Sequence, residues 1–137
     1  MTTENLPSAH RVLIVEDDAF MADLLRFLLQ RQGMQATVLS DGADAWALTS
    51  GPCPFDLVVL DLLLPRHGGL DVLARMRAAP DWSRVPVLVV SALDKGEDIA
   101  RAFDRGADDF LTKPFNPDEL LARVGRLLRL RSSQGLS

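Results

Sequence analysis

Four carboxylates stand directly after two short apolar segments of this 137-residue chain. Glu16, Asp17 and Asp18 follow the first segment, and Asp61 follows the other. Carboxylates repel one another when they are brought together, so a cluster of them needs a cation to neutralise it. Oxygen ligands suit a hard ion, of which Mg²⁺ is the first candidate. Beside such an ion, one carboxylate could attack a phosphoryl group and form an aspartyl phosphate.

A hydroxyl and an ammonium group follow two further apolar segments. Ser91 ends one of them, and Lys113 with Pro114 ends the other. Phosphoryl transfer develops negative charge, which hydroxyl, ammonium and metal groups stabilise. Taken singly, each residue has a structural explanation, since Asp18 and Ser91 could cap helices and Asp61 could lie in a turn. Their combination is what indicates chemistry.

The apolar segments predict the elements that position these residues. Three of them, residues 12–15, 57–60 and 85–90, are rich in β-branched side chains and apolar on both faces, as in buried parallel strands. Weaker strand candidates are residues 36–39 and 109–112. Helical patterns lie between or after the strands, at residues 19–32, 41–49, 70–79, 97–105 and 117–131. Strict alternation predicts a parallel sheet with helices on both faces and a functional site at the carboxyl ends of the strands.

Two of the predicted helices carry apolar stripes at helical spacing. The stripe of the first helix consists of Phe20, Leu24, Phe27 and Leu28. The stripe of the last helix consists of Leu120, Val124, Leu127 and Leu128. We expect both stripes to face the sheet.

The composition excludes several classes of protein. Hydrophobic residues make up 47% and charged residues 25%, which is enough apolar material for one globular domain. The net charge of −4 argues against a chain that mainly wraps nucleic acid. The single cysteine, Cys53, excludes an internal disulfide and a multi-cysteine zinc site. No apolar run approaches the ~18 residues of a membrane span, and the polar N-terminus is no signal peptide, so we expect a cytoplasmic protein.

Taken together, the motifs resemble the receiver domain of bacterial two-component response regulators. They are the segments at residues 12–18 (VLIVEDD), 57–65 (LVVLDLLLP) with Gly68 and Gly69, 89–92 (VVSA) and 106–115 (GADDFLTKPF). The resemblance covers residues 10–131, so residues 1–9 and 132–137 are expected to be flexible tails. It implies an α/β, flavodoxin-like (βα)5 fold, doubly wound around a five-stranded parallel sheet in the order 2-1-3-4-5.

The resemblance implies a phosphorylation site and a metal site. Asp61 would be the phosphoacceptor. Mg²⁺, or Mn²⁺ in its place, would be held by Glu16, Asp17 and Asp61 and by the backbone carbonyl of Leu63. Asp18 stands at a position that is often acidic in the family but is not usually a ligand.

Further roles follow from the resemblance. Lys113 would contact the phosphoryl group, and Ser91 and Phe110 would occupy the hydroxyl and aromatic switch positions. The bond between Lys113 and Pro114 would be cis. Phosphorylation would then change the surface formed by the fourth helix, the fifth strand and the fifth helix.

Two leucines are expected to tune the lifetime of the phosphorylated state. Leu63 stands two residues after the phosphoacceptor, and Leu93 stands two residues after the switch hydroxyl. Both would flank the line along which water attacks the phosphorus. Neither side chain can orient a water molecule, so we expect slow hydrolysis.

The resemblance also implies the partners. A sensor histidine kinase or a histidine phosphotransfer protein would donate the phosphoryl group. The chain would catalyse only its own phosphorylation and autodephosphorylation, and would not be an enzyme in the wider sense. The output would belong to a downstream protein or to an output domain outside this sequence, with no membrane partner and no direct nucleic-acid binding. A phosphorylation-dependent homodimer through a charged face containing Asp108, Asp109 and Arg123 is left open.

Three rival interpretations fit less well. A phosphatase of the haloacid dehalogenase type needs an acid two residues after the nucleophile, where this chain has Leu63. A dinucleotide-binding domain needs a glycine-rich turn after the first strand, where this chain has residues 16–19 (EDDA). A receiver-like binding module without phosphorylation would be indicated by failure to bind Mg²⁺ or to accept phosphate.

Overall fold

A single parallel sheet with helices on both faces organises the chain. The computed structural model describes residues 9–136, with side chains described for residues 9–131. The strands are β1 (Arg11–Val15), β2 (Gln35–Leu39), β3 (Leu57–Leu60), β4 (Val87–Ser91) and β5 (Asp109–Thr112). The helices are α1 (Ala19–Arg31), α2 (Gly42–Leu48), α3 (Gly69–Ala78), α4 (Gly96–Asp104) and α5 (Pro117–Leu136). The sheet order β2-β1-β3-β4-β5 confirms the predicted topology.

Alternation along each strand sends side chains to two separate cores. On one face, Val12 and Ile14 of β1 pack with the buried residues of α1 and α5. On the other face, Leu13 and Val15 pack with buried residues of α2, α3 and α4. Because successive strand residues point to opposite faces, a fully buried strand needs apolar side chains on both. This is why the central strands are apolar without interruption.

The apolar stripe predicted for α1 is only partly confirmed, since Leu28 packs against the core but the two phenylalanines do not. Phe20 is 77% exposed and Phe27 is 55% exposed, whereas Ala22, Leu25 and Leu29 face the sheet. The buried stripe has the same helical spacing as the predicted one but is rotated around the helix. Helical spacing alone does not distinguish the two stripes, and packing against the sheet selects the one that contains Leu25 and Leu29. In α5 the predicted stripe is confirmed, since Leu120, Val124, Leu127 and Leu128 are all buried.

Several boundaries differ from the predicted ones. Strand β4 begins at Val87 and not at Val85, because Pro86 has no N–H to donate to a ladder. A short 3₁₀ helix, Pro80–Trp82, follows α3 and was not predicted. Helix α5 continues through residues 132–136, which were expected to lie in a flexible tail, since the sequence there has no proline to end it. Residues 1–8 and 137 of the expected tails lie outside the described residues.

The sheet register brings four strand ends to one edge. The amide of Asp61 donates to the Val15 carbonyl (3.0 Å), and the amide of Lys113 donates to the Ser91 carbonyl (2.9 Å). These bonds continue the β1–β3 and β4–β5 ladders by one step beyond the strands. Within residues 9–136, no helix has both the length and the apolar character to cross a bilayer.

Candidate functional site

Three carboxylates meet at the carboxyl edge of the sheet, as predicted. Glu16 and Asp17 follow β1, and Asp61 follows β3. One carboxylate oxygen from each residue lies within 4.8 Å of the others. Glu16 is 2% exposed and Asp61 is 5% exposed, whereas Asp17 is exposed to solvent. The cluster therefore has a buried side and one open side from which an ion can enter.

Lys113 neutralises part of this negative charge. Its ammonium group donates to Oε1 of Glu16 (2.6 Å) and to Oδ2 of Asp61 (3.0 Å). Such charge-assisted bonds compensate part of the cost of removing carboxylates from water. Asp17 makes no ion pair among the described residues, so its charge remains available to a cation.

Burial and ion pairing have opposite effects on the pKa values of Glu16 and Lys113. Burial raises the pKa of Glu16 above its ordinary value, although the hydrogen bond from Lys113 opposes the rise. Burial is also the largest single influence on Lys113 and lowers its pKa, but the hydrogen bonds and charges of Glu16 and Asp61 together raise that pKa above its ordinary value. Lys113 is therefore held in its charged form, which is the form that an anionic group needs.

Asp18 is a helix cap and not a part of the cluster. Its side-chain Oδ1 accepts from the amide of Met21 (3.1 Å) at the start of α1. Its backbone amide donates to Oε2 of Glu16 (3.1 Å), which orients that carboxylate. The structure thus brings Glu16 and Asp17 into the cluster and leaves Asp18 in the capping role, the register that the sequence resemblance implied.

The other predicted residues lie around the same edge. Ser91 is fully buried at the end of β4, and its Oγ accepts from the amide of Leu93 (3.3 Å). Phe110 is 8% exposed in β5 and packs in the core beside α4. The bond between Lys113 and Pro114 is cis, as the resemblance implies.

The two leucines differ in their surroundings. Leu63 is 51% exposed, and its amide donates to Oδ1 of Asp61 (3.1 Å). Leu93 is half-buried and packs against the core on the α2–α4 face. Leu63 therefore exposes its apolar side chain to solvent, while its backbone amide contacts the carboxylate.

One set of residues near the site was not predicted. Arg66, in the loop after Asp61, donates to the carboxylate of Asp41 at the start of α2. His67 stacks on Trp46 of α2 with ring centroids 4.6 Å apart. In the sequence, Asp41 before Gly42 signals a helix cap, but no spacing rule links it to a residue 25 positions later.

The donor set fits a hard divalent cation. All three side chains offer oxygen, the group is partly open to water, and the single ammonium group of Lys113 leaves an excess of negative charge on the three carboxylates. Mg²⁺ is typically held by a few carboxylates and keeps several water ligands. Glu16, Asp17 and Asp61 are the residues that would hold it.

Comparison with known proteins identifies the family whose pattern this chain carries. The family described as the response regulator receiver domain matches residues 12–125. The Sensory transduction protein RegX3 of Mycolicibacterium smegmatis is 46% identical over 120 residues, which are 86% of this chain and 50% of that protein. The chain thus spans about half the length of this relative.

Solved structures of receiver domains are similar to this chain in both sequence and fold. The receiver domain of the Francisella response regulator 1452 superposes with a TM-score of 0.80 at 33% identity, covering 88% of this chain and 97% of that one. The receiver domain of the sensor histidine kinase PA1611 from Pseudomonas aeruginosa has the same TM-score at 26% identity, covering 88% and 98%. That structure holds a magnesium ion coordinated in its active site cleft.

Proposed function

The chain belongs to the response regulator receiver domain family of two-component signalling, and from this membership we propose that Asp61 is its phosphoacceptor. The observation that carries the proposal is the bridge from Lys113 to Glu16 and Asp61 beside the open carboxylate of Asp17. This arrangement supplies a nucleophile, a fixed cation and room for a second cation. These are the components that phosphoryl transfer to a carboxylate requires.

The chemistry of Asp61 is a substitution at phosphorus. A carboxylate oxygen attacks, the new O–P bond forms, and the bond from phosphorus to the donor breaks with its electron pair leaving on the donor. When the donor is a phosphohistidine, the leaving group is an imidazole. Lys113, already 3.0 Å from Oδ2, stays close enough to pair with the oxygens of the incoming group. Ser91 would contact the same group through its hydroxyl.

Glu16, Asp17 and Asp61, with the backbone carbonyl of Leu63, would bind Mg²⁺ or Mn²⁺. The bound ion supplies positive charge that offsets the repulsion between Asp61 and an anionic phosphoryl donor. The role of the protein is to fix these oxygens. The amide of Asp18 orients Glu16, and the amide of Leu63 orients Asp61.

The partners follow from the proposed reaction. A sensor histidine kinase or a histidine phosphotransfer protein is the phosphodonor, and the chain catalyses only its own phosphorylation and dephosphorylation. The output lies in a downstream protein or in an output domain. The relative RegX3 supports the second, because the match covers only 50% of that protein. We place this activity in the cytoplasm, as is typical of response regulators.

Phosphorylation of Asp61 is tested directly by mass spectrometry. Incubation with acetyl phosphate and Mg²⁺ should add one phosphoryl group to the wild-type protein. Both Asp61→Asn and removal of the metal with EDTA should abolish the addition, since the first removes the nucleophile and the second removes the countercharge.

Asp18→Asn is the matched control. It removes a neighbouring carboxylate but retains a good helix cap, so phosphorylation should be unaffected. A phosphoryl group that still appears on Asp61→Asn would contradict the assignment of the phosphoacceptor.

A further inference from the structure

The loop between β3 and α3, residues 61–68, contains a turn that its own sequence does not favour. Arg66 has a φ of 67°, a left-handed conformation that side chains with a Cβ rarely adopt. The amide of His67 donates to the carbonyl of Pro65 (2.9 Å) and closes a three-residue turn around Arg66. With a positive φ at its centre, this is the rare and strained form of the γ-turn. Such a conformation persists only where its surroundings hold it.

The start of α2 supplies the contacts that hold the turn. Arg66 donates through Nε to Oδ2 of Asp41 (2.8 Å), and its Nη2 contacts the same oxygen. The other oxygen of Asp41, Oδ1, accepts from the amides of Ala43 (2.6 Å) and Asp44 (3.2 Å). One carboxylate thus caps the helix and anchors the loop. The guanidinium of Arg66 in turn lowers the pKa of Asp41, which keeps this carboxylate ionised.

Three further contacts hold the same part of the loop against α2. The amide of Gly42 donates to the Pro65 carbonyl (3.2 Å), and a Cβ on Gly42 would lie 1.8 Å from the carbonyl oxygen of His67. The ring of His67 stacks on Trp46 at an interplanar angle of 18°. We call these residues the loop clamp: Asp41, Gly42 and Trp46 on α2 and its cap, and Pro65, Arg66 and His67 on the loop.

The clamp is close to the metal-binding end of the loop. The amide of Leu63 donates to Oδ1 of Asp61 (3.1 Å), and the amide of Gly69 donates to the Leu62 carbonyl (2.9 Å). A Cβ on Gly69 would lie 2.3 Å from the Asp61 carbonyl oxygen, so α3 leaves no free space at this end. Only Leu64 stands between Leu63 and the clamped residues. Two residues, Leu64 and Pro65, thus connect the turn at Arg66 to the backbone of Leu63.

We propose that Arg66, acting through Asp41, is a positioning residue that holds the β3–α3 loop in the conformation that binds Mg²⁺. The inference rests on the proposed function, because it takes Asp61 and the Leu63 backbone as parts of the metal site. Arg66 does not touch the ion in this account. It makes the metal affinity depend on an ion pair between the loop and α2.

The alternative is that Arg66 acts only through its charge. The two mechanisms predict opposite changes in Mg²⁺ affinity when Arg66 is replaced. Removing a positive charge near a cation site would tighten Mg²⁺ binding whatever residue replaces arginine. Releasing the clamp should instead weaken Mg²⁺ binding, but only when the residue at position 66 is one that disfavours a positive φ. Glycine adopts this φ without steric cost, so the contacts of Pro65 with Gly42 and of His67 with Trp46 suffice to keep the turn without the ion pair.

The test is a calorimetric titration of Mg²⁺ into metal-free protein carrying single substitutions. Arg66→Gln should raise the Kd about fivefold, less than the loss typical of residues that contact a metal ligand directly. Asp41→Asn keeps a helix cap and should raise the Kd by a similar factor. Arg66→Gly should stay within about twofold of the wild type. The double variant Arg66→Gln with Asp41→Asn should be no weaker than either single variant, because both remove one interaction.

A second readout follows the loop without the metal. In metal-free Arg66→Gln, the amide of Gly42 should exchange with solvent about tenfold faster than in the wild type, because its bond to Pro65 opens locally. The amide of Ile14 in β1 should be unchanged. Arg26→Gln is the matched control, since Arg26 forms an exposed ion pair with Asp23 (2.7 Å) on α1 and should alter neither measurement.

Equal tightening in Arg66→Gln and Arg66→Gly would overturn the proposal in favour of a charge effect. An unchanged Kd in both Arg66→Gln and Asp41→Asn would overturn it as well. Because these titrations use Mg²⁺ alone, they are independent of phosphorylation. A wild-type protein that binds Mg²⁺ but takes no phosphoryl group on Asp61 would refute the proposed function and leave the clamp to be judged by its own measurements.

Discussion

Lys113 is the residue that allows three carboxylates to share one edge of the sheet. Its ammonium group pairs with the two buried members, Glu16 and Asp61, and leaves the exposed Asp17 without an ion pair among the described residues. The interior of the site is thus partly compensated, since one ammonium group faces two carboxylates, and Asp17 adds an exposed negative charge at its opening. A cation from solvent meets the carboxylate of Asp17 first, because that residue is the exposed member of the cluster.

At the same scale, Leu63 and Leu93 are expected to control how long an aspartyl phosphate survives. Neither side chain can position a water molecule, so Leu63→Asn and Leu93→Glu, singly and together, should shorten the lifetime. A contact that orients the attacking water is worth ~1–3 kcal/mol of barrier, so the expected effect is roughly tenfold. The measurement is loss of labelled phosphate at fixed Mg²⁺ after the donor is removed.

Leu130→Asn provides the control for exposure alone. Leu130 is 46% exposed on α5, close to the 51% of Leu63, but it follows none of the site residues. The lifetime should be the same as in the wild type. Unchanged decay in the Leu63→Asn, Leu93→Glu double variant, with phosphorylation and fold intact, would show that these positions do not control hydrolysis here.

At the scale of elements, Arg77 joins the end of α3 to three other segments. It donates to the carbonyls of Trp82 (3.2 Å) and Val85 (2.7 Å), to the Gly106 carbonyl (2.8 Å) and to Asp108 Oδ2 (2.9 Å). Burial lowers the pKa of this guanidinium, which would be costly without such acceptors. The side chain thus satisfies carbonyls that no regular ladder reaches.

We therefore predict that Arg77→Ala lowers the free energy of unfolding by about 2–4 kcal/mol, since several carbonyl acceptors, most of them partly buried, lose their donor at once. Urea unfolding measures the change through its midpoint and slope. Arg101→Ala is the control, because Arg101 is 57% exposed and its nearest carboxylate, on Asp98, is 3.6 Å away. It should change stability by less than about 0.5 kcal/mol. Equal losses in the two variants would contradict a special role for Arg77.

The elements also show how far the sequence determines the structure. Strand identity and order could be predicted because uninterrupted β-branched segments such as residues 57–60 leave few alternatives. The buried face of α1 could not, because Phe20 and Phe27 have the spacing of a core stripe and only packing against the sheet selects Leu25 and Leu29 instead. Helix ends without a proline or a capping residue, as at residue 131, are equally undetermined.

The site residues likewise divide into those that local sequence patterns predict and those that depend on contacts between distant segments. Glu16, Asp17, Asp61 and Lys113 could be predicted to converge because each follows a strand, and strand ends of a parallel sheet share an edge. The pairing of Arg66 with Asp41 could not be predicted, because it joins a loop to a helix cap across the surface. The sequence also could not decide whether Asp18 caps the helix or binds the metal. The hydrogen bond from the Met21 amide to Asp18 shows that it is the cap.

At the scale of the whole molecule, α4 is the helix least tied to the rest of the domain. Ala102 is its buried residue, and Phe103 is 45% exposed. Its N-terminus has no side-chain cap, since Lys95 stands at the capping position. In contrast, α5 buries four residues of its stripe, and Asp109 of β5 pairs with Arg123 (2.7 Å) and Arg126 (3.7 Å) of α5. A signal from the site would therefore be expressed most readily at α4.

The last prediction is that beryllofluoride with Mg²⁺ shifts the amide NMR signals of residues 91–115 as well as those of the Asp61 loop. The Ser91 hydroxyl, now accepting from the amide of Leu93, would turn toward the phosphoryl mimic and vacate space beside Phe110. The Phe110 ring is already buried, so the expected movement is a repacking within the core and not an entry from solvent. Phenylalanine has no hydroxyl, so the movement of the ring itself needs no buried hydrogen-bond partner. The result is a shift between two populations of one fold.

Ser91→Ala separates the switch from simple binding. Without the hydroxyl, the mimic should still shift the Asp61 loop, but the shifts in α4 and β5 should largely disappear. Ser83→Ala is the control, because Ser83 is an exposed serine whose hydroxyl donates to the Pro80 carbonyl (3.2 Å) outside the site. Wild-type shifts confined to the Asp61 loop would instead mean that Phe110 is permanent core. In that case the site would have no route through Ser91 to α4, and the output surface would have to lie beside Asp61 itself.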